Sequence, residues 1–305
     1  MRGLTGAGVT LIGPVSQDIV RVPGREARAQ PGGAVYYAGM ALRGFGLPVE
    51  IITRLAKADR EHLTRELRAA GAIVNVSPSA QTTGFINEYS EDKARRAQTV
   101  DGRAAPIRMD DLPPLRTRWV YLGPLLQGDI SADLISHIAA QRRHRIALDV
   151  QGFVRRASGG KVLAADWPGK TSFLPCIDIL KADDAEAALL TGQTDREAAA
   201  RHLSGQGIEH VVITSGGSGA LICHRGVFHH VSIRLASGEA WPISDTTGCG
   251  DTFLAVYLAG VMSGEPPFAA GRLAAAAAAL KARDFGPLRA GWEDVRELAS
   301  RLQSS

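Results

Sequence analysis

Short apolar runs that alternate with segments of helical periodicity constrain this chain more than any other feature. "GVTLIGPVSQDIV" opens as a buried strand and then meets Gly13, Pro14 and Asp18. "GGAVYYAGMALRGFG" follows with apolar residues at helical spacing and a glycine exit. "VEIITRLA", "RWVYLGPL", "RIALDVQG", "IDILKAD" and "HVVITSGG" read as further strands. Between them lie helical segments such as "DREHLTRELRAAG", "SADLISHIAAQRR" and "DAEAALLTG". Repeated strand–helix alternation means βαβ units around a mainly parallel sheet. The final third is helical over 250–264, 268–284 and 291–302, and its run "LAAAAAAL" suits close helix packing. The expected fold class is α/β, a three-layer α/β/α core with a mainly parallel sheet.

Two stretches break the rhythm. Residues 18–30 and 82–102 alternate apolar and polar side chains, as half-exposed strands do. Both read as insertions, approximately 17–33 and 82–106, that together form a small β lid. With no internal repeat and no disordered linker, residues 1–305 are expected to form a single domain carrying that lid.

Composition removes several function classes. The net charge is +4, but Arg and Lys are scattered, with no basic stripe interleaved with aromatics, so no nucleic-acid partner is expected. Three widely spaced cysteines, Cys176, Cys223 and Cys249, argue against a disulfide framework or a zinc site and favour a reducing compartment. The start of the chain lacks a long apolar signal region. The longest apolar stretch, near 252–262, is about half of a membrane span. The expectation is a soluble, cytoplasmic protein with no membrane partner.

Chemistry concentrates in "DTTGCGDTF", residues 245–253, where a helix begins. A helix N-terminus offers unpaired N–H groups and the positive end of a dipole, and glycines let a ligand approach the backbone. The amides of Gly248, Cys249, Gly250 and Asp251 are placed to converge on one anion, with the Asp251 carboxylate beside it as a base. A plain cap, with Asp and Thr before the helix and Gly in the turn, accounts for the same residues. Three other patterns carry less. "PGKTSF" (168–173) contains G-K-T, but a phosphate-binding loop needs glycine where Ala164 stands. In "GAGVTLIG" the glycines precede the strand, so it is no dinucleotide fingerprint. His224, His229 and His230 share no Cys or acid at ligand spacing and read as exposed strand histidines.

"DTTGCGDTF" resembles the signature of the ribokinase-like carbohydrate kinases, the PfkB family, whose usual form is D-T-x-G-A-G-D. Other segments follow in that family's order from about residue 8 to 286: Asp18 after the first strand, "PGGAVYYAG" (31–39), "LKADDAEAALLTG" (180–192) and "VVITSGGSGALI" (211–222). The third is similar to the N-x-x-E segment and the fourth to the T-x-G-x-x-G strand–turn. The resemblance implies a ribokinase-like fold and transfer of the γ-phosphoryl group of ATP, with Mg²⁺, to an alcohol of a small polyol or sugar. It makes Asp251 the catalytic base and Gly248, Cys249 and Gly250 the anion hole. It assigns Thr214, Gly216, Gly219, Asp183 and Glu186 to the nucleotide, Glu186 also organising Mg²⁺ through water. Asp18, Gly32, Gly33, Tyr37, Gln151 and Arg155 fall to the acceptor. Asp245 and the Thr247 carbonyl stand where some relatives hold a monovalent cation, K⁺ among them. Lid sheets in this family pair between subunits, which implies a homodimer through the lid.

The departures from the family pattern bear on specificity. Asp183 replaces the Asn of N-x-x-E, either adding charge near the phosphates or serving as an isostere. Tyr37, preceded by Tyr36, replaces a substrate-binding Asn, which argues against ribose and fructose phosphates; a core aromatic is the plainer reading. Cys249 replaces Ala and reads better as a small apolar filler than as a reactive thiol. "LDVQGFVR" (148–155) offers Asp149, Gln151 and Arg155 at a strand's C-terminal end, where α/β sheets bind ligands. With the missing Asn, this looks more like the myo-inositol kinases of the family than like ribokinase. A solvated loop at Arg155 and Arg156 is the alternative. A nucleoside acceptor, stacked on Tyr36, Tyr37 or Phe85, is the second functional reading. A catalytically silent ligand-binding regulator is the third, opposed by the intact 248–251 cradle and Glu186.

Overall fold

The computed structural model describes residues 8–303 except 22, 25, 90–95 and 240, so part of each inserted stretch lies outside the described residues. The strand β1 (Val9–Ile12) leads into β2 (Ser16–Arg21) and β3 (Arg28–Gly32), and α1 (Ala34–Gly44) returns the chain to β4 (Val49–Ala56). Then come α2 (Arg60–Ala69), β5 (Ile73–Ser79), β6 (Gly84–Tyr89), β7 (Arg96–Gly102), β8 (Trp119–Leu122), α3 (Ala132–Ala140) and β9 (Arg145–Asp149). A hairpin, β10 (Arg155–Ser158) and β11 (Lys161–Ala164), precedes the short α4 (Lys170–Phe173) and β12 (Ile179–Asp183). The chain continues through α5 (Asp184–Thr191), α6 (Arg196–Gly205), β13 (His210–Thr214), β14 (Ala220–His224) and β15 (Val227–Val231). It closes with α7 (Cys249–Met262), α8 (Pro267–Ala282) and α9 (Trp292–Arg301).

Among the described residues, nine strands make one sheet in the order β15-β14-β13-β12-β9-β8-β1-β4-β5. Pairing from β13 to β5 is parallel, and β14 and β15 add an antiparallel edge. Period-two alternation sends side chains to two separate cores. Trp119 and Tyr121 of β8 join a cluster with α1, α7, α8 and α9, while Val120 and Leu122 join the cluster with α3, α5 and α6. The result is the three-layer α/β/α architecture. The alanines of α8 explain its close seat on α7: a Cβ added at Gly260 would stand 2.8 Å from the Ala270 Cβ, a spacing that larger side chains would forbid.

The two inserted stretches do share a second sheet, but it is larger than their sequence suggests. Its order is β10-β11-β7-β6-β2-β3, antiparallel apart from the β2–β6 pair. The hairpin β10–β11, "RRAS" and "KVLA", has four-residue strands, too short to show apolar alternation, so they are not legible in the sequence. Among the described residues, no helix is long and apolar enough to cross a membrane.

Candidate active site

The chemistry lies where the parallel strands end. β9 and β12 are neighbours in register, with Lys181 opposite Asp149. Ala147 and Ile179 face the core that α7 covers, so period two places Asp149, Lys181 and Asp183 on that same face, at the strands' C-terminal ends. Lys181 Nζ lies 3.1 Å from Asp149 Oδ2 and 4.0 Å from Glu186 Oε2, and all three side chains are buried. A charge taken out of water needs partners of this kind.

The first turn of α7 sits directly over this pair. Gly248 caps the helix with φ 80°, and a Cβ there would fall 2.4 Å from the Tyr37 ring, so conformation and space both require glycine. A Cβ on Gly250 would lie 3.0 Å from Lys181 Nζ, which sets the ammonium against the helix start. Burial pushes the Asp251 carboxyl up to about 7; Asp149 adds to the rise, Lys181 and Arg155 oppose it, and Glu186 adds to it again. The Cys249 N–H donates to the Thr246 carbonyl (3.2 Å) and the Thr252 N–H to the Gly248 carbonyl (2.9 Å). The amides of Gly248, Gly250 and Asp251 are therefore the candidate anion donors, a narrower set than the sequence suggests. Burial raises the Cys249 thiol to about 12, and its Sγ rests 3.5 Å from the Ala278 carbonyl, the environment of a packing residue.

A cavity of about 750 Å³ opens from this turn and is walled by both sheets. All the candidate residues line it except Gly32, Tyr36, Asp149, Glu186 and Asp245. Gly32 instead makes room for a carboxylate: a Cβ there would lie 2.5 Å from Asp18 Oδ2. Asp18, on β2, is buried and accepts a 2.8 Å bond from the Ser16 hydroxyl. Gly33, at φ 96°, passes so close to the Pro14 carbonyl that a Cβ would fall 2.4 Å from it. The Tyr37 hydroxyl is buried and has no hydrogen-bond partner among the described residues. Tyr36 turns away, its hydroxyl donating to Glu66 at 2.6 Å, so it offers no surface to a base; Phe85 does line the cavity. Arg155 is no solvated loop residue. It belongs to β10, and its guanidinium reaches Glu186 Oε1 at 3.2 Å.

On the opposite wall, Asp183 and Glu186 cap α5 reciprocally. The Glu186 N–H donates to Asp183 Oδ1 and the Asp183 N–H to Glu186 Oε2, each at 2.8 Å. Asp caps a helix as well as Asn does, so the Asp183 replacement keeps the local structure. Burial raises the Glu186 carboxyl, with Lys181 pulling it down. The Thr214 hydroxyl donates to the Ala182 carbonyl at 3.4 Å, and Gly219, at φ 94°, lies against the Val231 carbonyl. Among the described residues, Asp149, Glu186 and Asp251 act on Lys181 and Arg155, with Asp183 beside Glu186: these are four acids against two bases, a surplus of two negative charges when all are ionised. That donor set fits a divalent cation carried with phosphates, Mg²⁺ being the hard cation that suits oxygen ligands and retained water.

Behind the cradle, Asp245 accepts from the Lys281 ammonium at both its carbonyl (2.9 Å) and its Oδ2 (3.0 Å). Sequence reasoning missed both Lys181 and Lys281. Their signals are a lysine inside the apolar strand "IDILKAD" and a single lysine ending an alanine run. The rejected G-K-T holds up as no phosphate loop: Lys170 pairs with Asp166 at 2.6 Å on a one-turn helix. The histidines do have acids near them, contrary to the spacing argument. His224 Nε2 is 3.6 Å from Glu209, and His230 Nε2 is 3.1 Å from Glu197. Arg145 and Arg225 already neutralise Glu209.

Comparisons with known proteins bear on the family and the fold. The model of the pfkB family carbohydrate kinases matches residues 10–293. A pyrophosphate-dependent kinase in the ribokinase family, complexed with a pyrophosphate analog and myo-inositol, is 29% identical, with TM-score 0.83 over 94% of this chain and 99% of its own. Ribokinase from Arabidopsis thaliana, complexed with ribose and ATP, shares the fold at 21% identity and TM-score 0.76, over 96% of this chain and 98% of its own. A cytidine kinase from Thermococcus kodakarensis is 38% identical over 90 residues, 30% of this chain, and the match spans 31% of that relative's length.

Proposed function

Since the chain belongs to the PfkB family of carbohydrate kinases, we propose that it moves the γ-phosphoryl group of ATP to an alcohol of a small polyol or sugar, myo-inositol being the leading acceptor. The observation that carries this reading is Asp251, a carboxyl raised to about 7 in the first turn of α7 and bordering a cavity large enough for both reactants. A base with a value near the working pH takes up a proton most effectively. In the proposed step the Asp251 carboxylate accepts the acceptor's hydroxyl proton while that oxygen bonds to the terminal phosphorus and the bond to the leaving phosphate breaks. Charge on the moving group meets the amides at the start of α7 and the cations Lys181 and Arg155. Mg²⁺ held with the donor phosphates would neutralise part of their charge; Glu186 and Asp183 are the residues proposed to hold it. Asp18, Gln151 and the unpartnered Tyr37 hydroxyl would receive acceptor hydroxyls, and Thr214, Gly216 and Gly219 the nucleotide.

Ile233, Trp241 and Ile243, which also line the cavity, favour a donor with a flat apolar base. Inorganic pyrophosphate is the second donor reading. Two cations flanking the helix start favour it, as does the 29% identical pyrophosphate-dependent kinase. A nucleoside acceptor stacked on Phe85 or Tyr37 remains the second acceptor reading, and a homodimer through the six-stranded sheet is part of the same proposal. The test is acceptor-dependent release of ADP or orthophosphate with Mg²⁺, ATP and pyrophosphate run side by side over inositols, pentoses, hexoses and nucleosides. A polyol or sugar responder with ATP is expected. Turnover only with pyrophosphate, or only with nucleosides, would replace that half of the reading, and donor binding with no turnover on any acceptor would favour a regulator.

A further inference from the structure

The resemblance reserves Asp245 and the Thr247 carbonyl for a monovalent cation such as K⁺, and the residues present do not fit one. An ammonium is already there. Lys281 Nζ donates to the Asp245 carbonyl (2.9 Å), to Asp245 Oδ2 (3.0 Å) and to the Asp284 carbonyl (3.3 Å), which uses all three of its N–H donors. The Lys281 side chain is 0% exposed and that of Asp245 3%. One buried carboxylate balances one buried ammonium. A K⁺ ion at the same oxygens would bring a second positive charge against the first, at a carboxylate that the ammonium already occupies.

The position of Lys281 follows from its helix. The alanine-rich α8 lies close against α7, and Lys281 falls in the last turn of α8, where a cation is favoured by the helix dipole. From there its ammonium reaches the loop that precedes α7. The same segment is tied to α8 again by the Ser244 and Asp245 N–H groups, both donating to the Ala282 carbonyl (2.7 and 3.1 Å). Asp245 Oδ1 in turn accepts the Thr247 N–H at 2.9 Å, one residue before the Gly248 cap. Lys281 is thereby linked through Asp245 to the turn that aims the amides of Gly248, Gly250 and Asp251.

We propose that Lys281 is a covalently tethered substitute for a monovalent cation: a positioning residue that fixes the Asp245–Gly248 turn and makes the protein independent of K⁺. For its turnover arm the proposal rests on the kinase reading above. The experiment compares wild type with Lys281→Ala in buffers whose only monovalent cation is tetramethylammonium, too large for the site. K⁺ or NH₄⁺ then replaces it at a constant ionic strength of about 0.1 M, so that screening is unchanged. Wild-type turnover and melting temperature are expected not to respond. Lys281→Ala is expected to lose about 10²-fold in kcat, with much smaller changes in KM, because the amides are displaced while the binding walls remain. It is also expected to melt lower, since Asp245 is left buried without its partner. K⁺ or NH₄⁺ should restore turnover and raise the melting temperature of the variant, as a ligand bound to the folded state does. Activation of the wild type by K⁺ would overturn the proposal, and decides alone if Lys281→Ala does not fold. A folded Lys281→Ala that responds to neither ion would overturn it as well. Melting needs no turnover, so a protein without kinase activity would be silent in the activity arm on every ion and still give the ion-specific shift.

Discussion

At Asp251 burial and charge act against each other, and burial wins: the carboxyl stands at about 7 although Lys181 and Arg155 favour its ionised form. Two pH effects follow. The base must be ionised to accept a proton, so kcat/KM is expected to fall as pH drops below about 7. The fold also favours the protonated form, because the folded value lies above that of the unfolded chain, about 3.9. Stabilisation from this group is therefore complete below about pH 4 and lost as pH rises through about 7. Asp251→Asn cannot ionise, so its melting temperature is expected to gain on the wild type between about pH 4 and pH 8; a difference that does not grow with pH would place Asp251 in water. The candidacy of Asp251 was legible in "DTTGCGD", because a helix start, two glycines and an acid are local features. Its environment was not. Asp149 and Lys181 reach it through the register of two strands, which no local pattern encodes.

The turn that opens α7 depends on one glycine. Gly248→Ala would force a side chain into the left-handed region and into the Tyr37 ring, 2.4 Å from its carbon atoms. Strain of this kind costs about 1–3 kcal/mol for the backbone alone. Denaturant unfolding is expected to show at least that loss, and a midpoint equal to wild type would mean that the turn differs from the one described. The helices and apolar strands were readable because each buries one face or one stripe with its own period, 3.6 or 2. The second sheet was readable only in part. β2 and β6 alternate, but β10 and β11 are held by hairpin pairing and by contact with β7, and each is only four residues long. Arg155 was open between a site and a solvated loop for that reason. Its role depends on which sheet edge captures it.

In the whole molecule, two sheets face each other across the cavity, one supplying Asp18 and Phe85, the other Lys181, Asp183 and the approach to α7. On the proposed reading such an arrangement would separate acceptor walls from donor walls and leave Asp251 at their meeting point, where closure of the sheets on bound reactants would exclude water. Family order along the chain made this architecture legible. The two buried lysines were not, because a lysine in an apolar run gives no hint of which acid it will meet. Asp251 is proposed to take the acceptor's proton. The most direct test of that role is acceptor-dependent phosphoryl transfer by wild type and Asp251→Asn at about pH 8, with donor affinity measured by calorimetry on both. In the variant kcat is expected to fall by about 10²–10⁴, the contribution of a positioned base, while donor affinity stays near that of the wild type. Wild-type turnover in the variant would contradict it.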